Sequence, residues 1–276
     1  MKTILLLSVK EVREGLRNRW VVAATGLLAA LALTLTFLGS APTGTVGAGA
    51  LDVVVISLAS LTIFIVPLIA LLISHDAIVG EIERGTMTLL LSYPVRRRQV
   101  LFGKFMGHLA ILAFATCVGY GLAAIALLVT GKAVGAGSWA AFMAMTASSV
   151  LLGAVFVAIG YLVSALVADR ATAGGVAIGI WLVFVVLYDM ALLGLLVADQ
   201  GRAVSGGTLD ALLLFNPTDA YRLFNLAGSG NIAAASGMAG TVQTAVLAPA
   251  ALLAALAAWV VAPMALAALV FSRREL

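Results

Sequence analysis

The sequence predicts an all-α integral membrane protein with six transmembrane helices, and two observations carry that reading. Of 276 residues, 63% are apolar and only 10% are charged, far outside the range of soluble domains. Six stretches, 20–38, 53–73, 106–129, 140–168, 173–197 and 244–271, are each apolar enough to cross a bilayer core of roughly 30 Å, which takes about 20 residues. Helices follow because hydrocarbon offers backbone amides no other partner. The fourth and sixth stretches exceed the minimum and have room to tilt.

Basic residues orient the bundle. With the N-terminus inside, Lys2, Lys10, Arg13, Arg17, Arg19, Arg84, Arg96, Arg97, Arg98, Lys104, Arg170, Arg273 and Arg274 face the cytoplasm. Lys132, Arg202 and Arg222 remain outside. That asymmetry obeys the positive-inside rule and predicts a multi-pass protein of the bacterial inner membrane with both termini cytoplasmic. The net charge of +4 then reflects topology and anionic lipid, and nucleic acid is not an expected partner. One cysteine, Cys117, excludes an intrachain disulfide.

At the N-terminus, Ile4 to Leu7 is apolar, but the charged run from Lys10 to Arg19 and the lack of a small-residue cleavage site argue against a signal peptide. Leu5, Val9, Val12 and Leu16 share one helical face while Lys10, Arg13 and Arg17 line another. Residues 1–19 are expected to form an interfacial helix, the plainer alternative being a basic anchor for the first span.

Three connections lie outside. Gly39 to Ala50 is a Gly/Ala/Thr-rich link, and the one around Gly131 to Ser138 is short. The third, 199–243, is the only large external feature. Its apolar run Ala211 to Phe215 is too short to span, so a re-entrant or surface-parallel element is expected. Asn216-Pro217 should break the helix there, and Thr218 is expected to cap a new one carrying Tyr221 and Phe224.

Inside, Asp169-Arg170 joins spans four and five as a tight hairpin. The segment 74–104 differs, with a pattern of its own. Val79, Ile82, Thr86, Leu89 and Leu90 fit a short amphipathic helix interrupted at Gly85, Tyr93-Pro94 ends it, and Arg96 to Arg98 return the chain to the headgroups. Carrying Glu81, Glu83 and Arg84, such a helix would offer a soluble subunit something to hold. A solvated loop with snorkelling arginines explains the Arg triplet equally well, but not Met87 and Leu89 to Leu91.

The run Glu81-Ile82-Glu83-Arg84-Gly85-Thr86, followed by Leu89-Leu90-Leu91-Ser92, Pro94, Arg97 and Gly103-Lys104, resembles the signature of type-2 ATP-binding-cassette (ABC) permeases. The resemblance covers the six-span layout and implies a single permease domain over 1–276. It implies that 74–104 carries a coupling helix seated in a groove of an ABC ATPase subunit, with Asp76, Glu81, Glu83, Arg84, Gly85 and Thr86 as ATPase-coupling residues. It also implies a homodimer whose external gate or partner contacts include Phe215, Asn216, Pro217, Tyr221 and Phe224.

Further runs, Leu16-Arg17-Asn18-Arg19-Trp20, Asp76-Ala77-Ile78-Val79-Gly80-Glu81 and Phe215-Asn216-Pro217-Thr218-Asp219-Ala220-Tyr221-Arg222-Leu223, are similar to the permeases that serve copper-site maturation of nitrous oxide reductase. That resemblance implies a NosF-type ATPase in the cytoplasm and a NosD-type periplasmic protein on the external loops. The chain is expected to be non-catalytic and without a cofactor of its own, ATP and Mg being bound by the ATPase. A Walker loop needs Gly-x4-Gly-Lys followed by Ser or Thr, and Gly103-Lys104-Phe105 and Gly131-Lys132-Ala133 both lack it.

A copper path would want soft ligands at helical spacing around one lumen. The sequence offers Cys117, His75 and His108 near the inner surface, and Met143 and Met145 on different faces, so no metal site is expected. Asp189, inside the fifth span beside Tyr188, should be protonated, wet or paired, with Tyr188 or Arg202 as candidate partners and a substrate or proton role as the alternative. Asp52, which opens the second span, is expected to be a helix-end residue at the surface. Three functions remain open: ATP-driven maturation, by mechanical relay or by export of a sulfur species; ABC-2 export of a drug, lipid or other small molecule; or an ATP-independent channel or secondary transporter, against which the lack of repeats and of an intramembrane charge relay speaks.

Overall fold

The computed structural model describes residues 2–17, 19–38, 50–129, 135–199, 206–227 and 247–274. These are helical or in short connections, and no strand occurs among the described residues. The helices are α1 (Lys2–Arg17), α2 (Arg19–Leu38), α3 (Ala50–Ser74), α4 (Val79–Glu83), α5 (Thr86–Leu91), α6 (Arg97–Val129), α7 (Ala136–Leu166), α8 (Arg170–Leu182), α9 (Tyr188–Asp199), α10 (Gly206–Phe215), α11 (Pro217–Ala227) and α12 (Pro249–Arg273). A π-helical turn, Val183–Leu187, joins α8 to α9.

Among the described residues five rods are long and apolar enough to cross a bilayer, and the α1–α2 pair, bent by 68°, makes a sixth when taken as one crossing. The expected spans recur as α2, α3, α6, α7, α8–α9 and α12, with residues 244–246 of the last outside the described residues. The chief difference is at α6, which begins at Arg97 rather than near 106 and so draws Lys104 into the helix. Residues 39–49, 130–134, 200–205 and 228–246, which include most of the expected external connections along with Lys132 and Arg202, lie outside the described residues.

α7 is the most enclosed rod and α8–α9 the least. Around α7 pack α3, α12, α6 and α11. α1 docks on α6 through a stripe distinct from its main apolar face. Leu7 and Glu11 turn inward, while Leu5, Leu6, Val9 and Leu16 stay exposed. The close approach depends on Gly103 and Gly107, where an added Cβ would collide with Leu7 and Glu11. Gly175 and Gly179 share that spacing yet face open space.

The ends of α7 and α12 and the starts of α6 and α8 gather at one end of the bundle, which is also rich in basic residues. There Arg97 donates to the carbonyls of Phe271 (2.9 Å) and Arg274, and Arg274 donates to those of Ser164 and Ala165. Asp169 caps α8 by accepting from the Thr172 amide at 2.8 Å, and that bond holds its carboxyl below the usual range.

Candidate functional site

At the basic end, α4 and α5 form a bent pair hung between α3 and α6. The break at Arg84-Gly85 falls where the alternation of residues predicts it, and Gly85 adopts φ +71°, a left-handed conformation that side chains disfavour. The start of α4 is pinned: the Ile78 and Val79 amides both donate to Ser164 Oγ, at 2.9 and 3.0 Å. These are donors a helix start leaves without intrahelical partners. Asp76 Oδ2 meets Arg170 Nε at 3.0 Å, and Glu83 Oε1 accepts from the Arg170 amide at 2.8 Å, so α4 is tied to α8 as well.

The expected coupling residues divide into two groups. Glu83, Arg84, Gly85 and Thr86 form an exposed edge, continued by Leu89 and Tyr93, which are 66% and 64% exposed. Glu81 faces the other way and is buried, and Asp76 is half-buried.

Glu81 belongs to a charge cluster inside the protein. Lys104 Nζ on α6 lies 2.9 Å from Glu81 Oε1 on α4 and 2.8 Å from Glu11 Oε1 on α1. One ammonium thus holds three helices. His108, one turn along α6, places Nε2 3.8 Å from Glu11 Oε2, and Nδ1 makes a 2.8 Å hydrogen bond with the Tyr161 hydroxyl of α7. Two carboxylates share one ammonium, and Glu81 Oε2 is left without a hydrogen-bond partner among the described residues. A buried charge group of this kind fixes geometry because losing any member strands the others.

The opposite end is fastened at the π turn. A π turn departs from the α-helical hydrogen-bond ladder, and here the Phe184 carbonyl accepts from Asn216 Nδ2 (3.0 Å) and Thr218 Oγ1 (3.1 Å). The Tyr188 hydroxyl donates to the Leu212 carbonyl at 2.7 Å. Arg222 on α11 bridges Asp219 Oδ1 (2.7 Å) and Asp189 Oδ2 (2.6 Å). Burial lifts the Asp219 carboxyl to about 7, Arg222 opposing and Asp189 adding to the rise. Buried hydroxyls bind α11 to the bundle further, through Ser149 with Tyr221 at 3.0 Å and Asn225 with Ser148. Thr62 and Tyr120 make a similar pair between α3 and α6.

Two sequence expectations are corrected here. Asn216, not Thr218, caps α11: the Thr218 amide donates to Asn216 Oδ1 at 3.0 Å, since Pro217, the first helical residue, has no amide hydrogen. Asp189 pairs with Arg222 and not with Tyr188; Arg202 lies outside the described residues. Of the expected external contacts, Phe215 is exposed and lies edge-on to Trp259, and Phe224 is half-buried. Asn216, Pro217 and Tyr221 face inward.

Sequence reasoning passed over Glu11, Lys104, His108 and Tyr161 as a group, and Arg222 as the partner of Asp189. A signal for the first existed: Lys104 and His108 are one turn apart on an apolar rod, and Glu11 is an acid on a basic helix. Among the described residues no three His, Cys, Asp or Glu side chains stand together to hold a metal ion. Cys117 is exposed, and Met143 is exposed where Met145 is buried. Asp52 sits in the first turn of α3 as expected, but it is buried rather than at the surface.

Comparison with known proteins agrees with this architecture. The profile of the ABC-2 family transporter protein matches residues 5–276. A probable ABC transporter permease protein NosY of Pseudomonas aeruginosa is 45% identical over 280 residues, covering 100% of both chains. Its counterpart in Stutzerimonas stutzeri is 45% identical over 267 residues, covering 96% of each. A multi-helix membrane bundle matched from end to end by that profile and by two such permeases belongs to the ABC-2 transporter family, as a permease.

Proposed function

We propose that this chain is the membrane subunit of an ABC system that couples ATP hydrolysis by a NosF-type ATPase to copper-site maturation of nitrous oxide reductase outside the membrane, through a NosD-type periplasmic protein. The basic end faces the cytoplasm, the permease works as a homodimer, and α4–α5 is the coupling element. The observation that carries the reading is the two-sided construction of α4–α5, set on full-length similarity to NosY permeases. Its outer edge, Glu83 to Thr86 with Leu89, is exposed to another protein even though Glu83 also accepts from the Arg170 amide, while its inner side is locked through Glu81 to Lys104 and Glu11. A push on the edge therefore reaches α6 and α1 without being absorbed in a loop.

The output surface is α10–α11, with Phe215 exposed and the remainder fastened to α8–α9 and α7. This favours mechanical relay over export of a sulfur species, because both ends are built as rigid attachments. The permease itself carries no copper in this reading. Co-expression with the ATPase and the periplasmic protein tests it. Glu83→Arg with Arg84→Glu should leave the permease inserted and dimeric but release the ATPase on detergent purification. Unchanged capture of the ATPase and unchanged reductase maturation would contradict the docking assignment.

A further inference from the structure

The last turns of α7 and α12, with the turn that leads into α8, form an open cleft of about 400 Å³ at the basic end of the bundle. Arg273, Arg274, Leu166 and Val270 line it, and among the described residues no carboxylate does. The end of a helix ordinarily repels an anion, because its last carbonyls carry the negative end of the dipole. Here those carbonyls are occupied. Arg274 Nη1 donates to Ser164 and Ala165 of α7 at 3.2 and 3.0 Å, and Arg97 donates to Phe271 and Arg274 at the end of α12. Because these acceptors carry no formal charge, Arg97, Arg273 and Arg274 all remain without a counter-charge, and none has an ion pair among the described residues. Asp169, the acid that follows the cleft, is taken up by the amide and hydroxyl of Thr172 at 2.8 and 2.7 Å. Glu275 lies outside the described residues.

This unopposed positive charge is continuous with hydrocarbon. Leu266, Leu269, Val270 and Arg273 follow one another at i, i+3, i+4 and i+7, so one face of α12 runs from the apolar surface of a crossing helix into the cleft. Leu266 and Leu269 are 50% and 49% exposed, and Leu166 across the cleft is 63% exposed. We propose that the cleft holds the phosphate of one anionic phospholipid whose headgroup has no ammonium, with an acyl chain lying along the Leu266–Leu269 face. Guanidinium N–H donors match phosphate oxygens, and Arg274, already fixed on two carbonyls, gives up little freedom on binding. A zwitterionic head would bring its own cation against two arginines, with no acid in the walls to receive it. A free phosphate would leave the apolar face unused. The site does not depend on what the permease couples.

Native mass spectrometry of the purified full chain, exchanged into detergent with equal amounts of dioleoyl phosphatidylglycerol, phosphatidylcholine and phosphatidylethanolamine, tests this. The expected result is one phosphatidylglycerol retained per chain, at roughly tenfold the occupancy of either competitor. Arg273→Gln, which breaks no hydrogen bond among the described residues, should reduce that preference several-fold. Arg13→Gln, on the exposed side of α1, should leave it unchanged. Equal retention of the three lipids by the wild-type chain overturns the proposal, as does an undiminished preference in Arg273→Gln. Equal losses in the two variants also overturn it, by assigning retention to diffuse surface charge. Displacement by millimolar inorganic phosphate, but not by chloride of the same ionic strength, would make the cleft a free-phosphate site instead. Loss of the lipid whenever an ATPase subunit copurifies would make it a protein contact.

Discussion

Lys104 Nζ lies 2.8 Å from Glu11 Oε1, an ion pair closed off from solvent between a helix that crosses the membrane and one that does not continue straight into a crossing. Because the same ammonium also holds Glu81, the pair joins the N-terminal helix to the short helices beneath the bundle. Removing Lys104 alone strands two buried carboxylates. Lys104→Met should therefore cost about 3–5 kcal/mol. Adding Glu11→Gln and Glu81→Gln should recover most of it, as followed by thermal unfolding in detergent; no recovery in the triple variant would show that the three residues do not act together.

The glycines of α6 and α8 give a paired comparison. Gly107→Ala forces α1 away from α6 and should loosen the N-terminal helix, seen as faster amide hydrogen exchange over 2–17. Gly175→Ala meets nothing and should be neutral or stabilise by up to about 1 kcal/mol. Equal effects at the two positions would contradict the packing described.

At the opposite end, the Phe184 carbonyl depends on Asn216 and Thr218. Asn216→Ala removes that bond together with the cap of α11 and should cost about 1–3 kcal/mol. Hydrogen exchange should rise over 206–227 and leave 79–91 unchanged. A uniform rise would mean that the α10–α11 pair is not a separate attachment.

Stability should also depend on pH through Asp219. Its carboxyl is raised by burial to about 7, with Asp189 adding and Arg222 opposing, from 3.8 in the unfolded chain. Between these values the folded protein keeps a proton that the unfolded chain has shed, so stability falls as pH rises through the window and levels off above it. The unfolding midpoint should drop between about pH 4 and about pH 7, and Asp219→Asn should flatten that slope. A slope unaffected by the substitution would assign it to other groups.

The crossing helices were legible because a bilayer imposes length and apolarity on each of them, and the break at Gly85 was legible from the residues around it. The clasps were not. Asp189 and Arg222 are 33 residues apart, and Lys104 lies 93 from Glu11 and 23 from Glu81, separations that no helical period links. Lys104 also reads as one more inner-side basic residue as long as its helix is taken to begin after it. Glu81 shows the converse difficulty. A charged residue on a short amphipathic helix reads as a docking residue, and only the neighbouring rods show that it turns inward. Gly103 and Gly107 share their spacing with Gly175 and Gly179, so spacing alone cannot say which pair meets another helix.

The central claim is that an ATPase acts on α4–α5, and the most direct measurement is a cryo-EM reconstruction of the detergent-purified assembly with and without a non-hydrolysable ATP analogue. The account predicts a nucleotide-binding subunit seated against Glu83 to Thr86, with the Glu81–Lys104–Glu11 contacts intact while α4–α5 shifts between the two states. An α4–α5 edge bare in both states would contradict it.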